Sequence, residues 1–180
     1  MSYFFNRETA HKLLEEHVKD DYQQMHAKMV ATCLEAYAIK LGEDKDLWYI
    51  TGLLHDLDYF EHPESHPEES LKWFKKWKFP EEMIHAVSAH STKKPRLAIK
   101  SKLDAALIAI DELTGFLYAY SLMRPTGFEG MKPKSVKKKF KDKAFAAKID
   151  RKEIEYGIES FETDFAEHTQ FVIEVLKTLL

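Results

Sequence analysis

Apolar residues recur along this chain at steps of three and four, segment after segment, with six glycines and six prolines among its 180 residues to interrupt them. That period predicts an all-α protein, a compact multi-helix bundle, with no period-2 strand pattern and no internal repeat. The first long helix is expected to open at Asp20 or Asp21, with Gln23 or Gln24 as its capping partner, and to close at Gly42. His26, Val30, Cys33, Tyr37 and Leu41 recur along it, so His26 shares the inward stripe with apolar neighbours. The next helix, about 46–56, aligns Leu47, Ile50 and Leu54, and puts His55 and Asp56 at its C-terminal end.

The stretch YFEHPESHPEES is polar and carries two His-Pro pairs. A residue before proline is pushed out of the helical region, so this reads as a loop, with a helix restarting at Pro67. Pro80 opens another, which places Ile84, Val87 and His90 or Ser91 on one face and ends at Lys93, Lys94 and Pro95. A long helix over about 101–123 repeats Asp104, Leu107, Asp111, Thr114 and Tyr118 along one side. Two closing helices are expected near Asp150, with Glu153 completing a capping box, and near Thr163. A single domain over 1–180 follows, its motif-bearing core about 20–125, with the helices of 135–180 packing on it.

A chain of this length buries a real core without a structural metal. Its formal charge of -3 excludes the global basic signature of a nucleic-acid polymer binder, so any anionic substrate must be met locally. The sole cysteine, Cys33, allows no internal disulfide, and charge appears too early for a signal peptide. The most apolar stretch, 103–122, is broken by Asp104, Asp111 and Glu112, which reads as a buried helix and not a membrane span. The expectation is a cytoplasmic protein with no membrane partner and no nucleic-acid polymer partner, its oligomeric state left open.

Imidazole and carboxylate are standard ligands for first-row metals, and a carboxylate in an apolar helix is costly unless paired or metal-bound. His26, the His55-Asp56 doublet and Asp111 come from three helices, each at an inward position. Convergence on one ion would explain all four. Each also has a plainer explanation: His26 as a hydrogen-bonded core histidine, His55 at the negative end of a helix dipole, Asp111 as a buried acid bonded to a tyrosine or lysine.

The segments MHAKMVA, TGLLHDLDYF and AIDELTGF, taken together over roughly 23–124, resemble the HD superfamily of metal-dependent phosphohydrolases. The resemblance implies His26, His55, Asp56 and Asp111 as ligands of a divalent ion, with Mn, Fe, Co, Ni, Zn and Mg not distinguished. His66 before Pro67, and His90 in AVSAHS, look like the positions where some HD phosphodiesterases hold a second ion. The implied reaction is hydrolysis of a small phosphate ester, nucleotides included, by metal-activated water. Asp56, Asp58 and Glu112 are the candidate catalytic carboxylates, and Lys94, Arg124 and Lys138 the candidate phosphate-binding cations. The Gly-Tyr-Pro triplet of the cyclic-dinucleotide branch is missing from the sequence. Two alternatives remain open: a di-iron oxygenase on the same scaffold, and a non-catalytic regulatory module that binds a metal or a nucleotide.

Overall fold

The computed structural model describes residues 4–93 and 95–179. Among them lie nine helices and no strand, as the apolar period predicts. The chain divides into two compact units, Met1–Leu107 and Ile108–Leu180.

The first unit contains α1 (Arg7–His17), α2 (Asp21–Leu41), α3 (Lys45–Leu54), α4 (Glu68–Trp77), α5 (Glu81–His90) and the start of α6 (Lys102–Leu122). Local chemistry sets most of these boundaries. Asp20 caps α2 by accepting from the Gln23 amide at 2.8 Å, and Gly42 ends it at φ 72°, a left-handed conformation that glycine adopts without penalty. Asp44 accepts from the amides of Asp46 and Leu47, so α3 starts one residue earlier than expected. The sequence reading had no counterpart for α1, which opens on Asn6 and buries only Ala10, Leu13 and Leu14.

Val30, Cys33 and Tyr37 are buried as the α2 stripe requires, whereas Leu41, in the turn before Gly42, is 38% exposed. Cys33 is a free thiol whose burial pushes its pKa up. Where α2 crosses α3 the backbones nearly touch: a Cβ at Gly52 would lie 2.7 Å from the Ala31 Cα. Only glycine permits that approach, and it brings the end of α3 against α2. A core of Leu13, Leu14, Ala31, Ile50, Leu53, Leu57, Phe74 and Met83, among others, fills the unit.

The second unit continues α6 and adds α7 (Pro133–Phe140), α8 (Arg151–Ser160) and α9 (Phe165–Leu179). Gly157 meets the Ala109 backbone, where a Cβ would lie 2.6 Å from the Ala109 Cα, and His168 Nε2 donates to the Ala109 carbonyl at 2.9 Å. By length and composition α6 could cross a bilayer, but 67% of its most apolar window is buried inside the protein.

Candidate metal centre

Helices end with orphaned carbonyls, and two of those carbonyls fix histidines here. His55, the C-cap of α3, turns its Nδ1 back to the Gly52 carbonyl at 2.7 Å. His90, the last residue of α5, does the same to the Val87 carbonyl at 2.5 Å. A carbonyl oxygen has no proton to give, so both Nδ1 atoms are donors, and in each neutral ring Nε2 carries the lone pair.

His66 is fixed the same way by a carboxylate. Its Nδ1 donates to Asp58 Oδ1 at 2.7 Å, and the His66-Pro67 peptide is cis. Burial opposes ionisation of Asp58, but the hydrogen bonds from His66 and the Ser70 amide outweigh it and hold the carboxyl below the usual carboxylate range. Asp58 is therefore an acceptor, and His66 likewise presents a lone pair at Nε2.

These lone pairs converge. His66 Nε2 lies 3.2 Å from His90 Nε2 and 3.2 Å from Asp56 Oδ1, and His90 Nε2 lies 3.4 Å from the same oxygen. With both imidazoles neutral all three atoms offer lone pairs to one point, an arrangement that a shared cation suits. Donors that share an ion at about 2.0–2.2 Å stand about 3.0–3.6 Å apart, which is the spacing found, and imidazole with carboxylate suits a first-row divalent ion. The residues present thus fit a metal.

The rings beyond the triangle form a continuous row. Centroid separations run 6.3 Å from Tyr22 to His26, 5.3 Å from His26 to His55, 5.5 Å from His55 to His90, 5.2 Å from His90 to His66 and 5.4 Å from His66 to Tyr59. The middle is buried, with His55 at 0% exposure and His90 at 8%, while the terminal tyrosines are 49% and 43% exposed. His55 Nε2 also lies 3.5 Å from Asp56 Oδ2, so the Asp56 carboxylate faces both His55 and the triangle.

Residues 24–116 match the model of the HD domain family, just over half of the chain, and the matched segment spans His26, His55, Asp56, His66, His90 and Asp111. The chain belongs to the HD domain family. Comparison with curated proteins and with solved structures gives no match. Within the matched segment His26, His55, His90 and His66 stand side by side in the first unit, with Asp56 against the last three.

The remaining expected site residues are placed as follows. Asp111, partly buried on α6, Glu112, Arg124 and Lys138 belong to the second unit. The guanidinium of Arg124 is engaged locally, Nε donating to the Gly127 carbonyl and Nη2 to the Glu129 carbonyl, both at 2.8 Å. Lys138 is exposed on α7, and Lys94 lies outside the described residues.

Asp58, expected as an acid or base, is fully buried with both oxygens bonded, Oδ2 accepting from the Glu69 and Ser70 amides at 3.1 and 3.0 Å. It points away from solvent and orients His66 instead. Two neighbours of the site escaped sequence reading: Tyr22, four residues before His26 and so on the same helical face, and Tyr59, in the turn after the doublet. The i, i+4 relation was a usable signal for the first; the second depends on how the loop folds back.

Proposed function

We propose that this HD protein is a metal-dependent phosphohydrolase that cleaves a small phosphate ester. The observation that carries the reading is the cluster of Asp56, His66 and His90, whose ligand atoms stand close enough together to share one metal ion. In this reading Asp56, His66 and His90 would hold one ion, and the family pattern implies His26, His55, Asp56 and Asp111 as the residues that would hold another.

Divalent ions at such positions polarise a phosphoryl oxygen and make water acidic enough to ionise near neutral pH. The protein's own residues supply the rest. The carbonyls of Gly52 and Val87 hold His55 and His90 in the tautomer that offers Nε2, and Asp58 does so for His66. Asp56, the most exposed of these groups at 29% of its side chain, opens the cluster toward solvent and so marks the side from which a phosphate arrives. Carboxylates at the centre need compensating charge before they can accept an anionic substrate, and the ions are the source of that charge.

The test is turnover of a panel of phosphate mono- and diesters by untagged protein supplied with manganese, cobalt or nickel. Metal-dependent release of phosphate or alcohol, abolished by chelation and by His90→Ala, is expected. Absence of turnover across the panel, or oxygen consumption with mixed-valent iron signals in its place, contradicts the reading.

A further inference from the structure

The second unit carries a local charge that the balance of the whole chain conceals. Between 132 and 148 stand eight lysines against one acid, Asp142, although the formal net charge of the chain is -3. We infer that Lys134, Lys137, Lys138 and Lys141, along α7 and its C-cap, form a docking surface for the phosphate backbone of a nucleic-acid duplex, bound without recognition of its bases. The surface uses no implied metal ligand and does not rest on the phosphohydrolase reading.

Steps of three and four put these four side chains on one face of the helix, and all four are exposed. Val136 is buried on the opposite face, and the Phe140 ring stands 5.6 Å from Phe116 and 5.5 Å from Phe165. Elsewhere lysines meet acids: Lys12 pairs with Glu8, Lys72 with Glu69, Lys102 with Glu43 and Lys177 with Glu129. Among the eight described lysines of this segment only Lys139 does so, with Asp142 at 2.9 Å. Like charges three and four residues apart repel one another. The helix dipole accounts for Lys138 and Lys141, because cations are favourable near a C-terminus. It does not account for Lys134, which stands in a first turn that has no acid. A bound polyanion relieves both penalties.

Arg151 fixes the segment that follows the helix. Its guanidinium donates to the carbonyls of Phe140, Asp142, Phe145, Ala146 and Ile149, at 2.7 Å for Ala146 and 2.9 Å for Ile149. A backbone fixed in this way lowers the ordering cost of binding. It also turns the one arginine of the segment inward, so the surface offers point charges and no fork for a base edge. Spacing favours a duplex. The helix rises about 10 Å from Lys134 to Lys141, so its four charges recur about every 3.5 Å, close to the roughly 3.4 Å per charge of one strand. A lipid surface also attracts lysines, but the apolar side of α7 is packed into the core and cannot insert among acyl chains.

The experiment is fluorescence anisotropy of a short labelled DNA duplex titrated with the full chain at several salt concentrations, with and without EDTA. Binding is expected with a Kd on the order of 10⁻⁵ M at low salt, unchanged by EDTA, and log K should fall against log salt with a slope of about -3 to -4. Lys134→Gln and each of the other three single substitutions should reduce that slope by about 1. Glutamine at all four positions should weaken binding at least about tenfold, and arginine at all four should preserve it. Glutamine at Lys12, Lys45, Lys75 and Lys76, exposed lysines of the first unit, removes the same charge and should leave binding unchanged. Thermal melting checks that each variant folds. Equal losses in the two fourfold glutamine variants, loss of binding on chelation, or tighter binding to vesicles of anionic phospholipid than to the duplex overturns the inference. So does the lack of any binding at low salt.

Discussion

The carboxylate of Asp58 grips His66 with one oxygen and the start of α4 with the other: Oδ1 accepts from His66 Nδ1 at 2.7 Å, and Oδ2 from the Glu69 and Ser70 amides at 3.1 and 3.0 Å. Pro67, the N-cap of α4, offers no side-chain hydrogen bond, so Asp58 fills that role from nine residues upstream. A negative charge is also favourable at that end of a helix. Folding of α4 and orientation of a metal ligand thus depend on one side chain.

Asp58→Asn should uncouple them. One side-chain oxygen cannot accept from both His66 and the helix amides, so stability should fall by about 1–3 kcal/mol. Metal affinity should fall by about 10–100-fold because His66 loses its orienting partner. Chemical denaturation of the metal-free protein and calorimetric titration with manganese measure the two effects separately. Unchanged metal affinity in a folded variant would show that His66 needs no orientation.

Much of the fold was legible because capping chemistry is local. Asp20, Gly42, Pro80 and Asp150 mark helix ends in the sequence by rules that involve only neighbouring residues, and the structure has helix boundaries at each. The His-Pro pair before α4 likewise announced a loop and a restart. The inward placement of His26 and His55 followed from helical spacing. Asp58 could not be read correctly that way, since its partners lie eight to twelve residues downstream and meet it only after the loop closes. α1 escaped because a short helix with three buried apolar residues gives a weak periodic signal.

Gly52→Ala should damage the centre from a distance. The new methyl would lie 2.7 Å from the Ala31 Cα and 2.8 Å from its nitrogen, both backbone atoms that cannot rotate aside. Separating α2 from α3 should cost about 1–3 kcal/mol. It should also move His55 away from His26, whose rings now stand 5.3 Å apart. Denaturation midpoints and metal titration check both, and a fully stable variant would contradict the close-packed crossing.

A pH test concerns the first turn of α5, where Glu82 lies. Partial desolvation of Glu82, whose surface is otherwise exposed, together with the nearby Glu43, Asp104 and Asp44, raises its pKa. An acid with a raised folded pKa penalises the folded state when ionised, so the penalty exists at neutral pH, fades as pH falls through the raised folded value and is gone below the unfolded value of about 4.3. Glu82→Gln should therefore raise the melting temperature at pH 7 and lose that advantage near pH 4. A benefit of the same size at both values would rule out charge as its cause.

The triangle itself is tested by counting ions. Untagged protein is loaded with manganese, freed of excess and assayed by elemental analysis, beside the His66→Ala/His90→Ala double variant with circular dichroism to confirm its fold. The account predicts two equivalents per chain in the wild type and one in the variant. A folded variant that retains as much metal as the wild type, or a wild type that retains none, would contradict it.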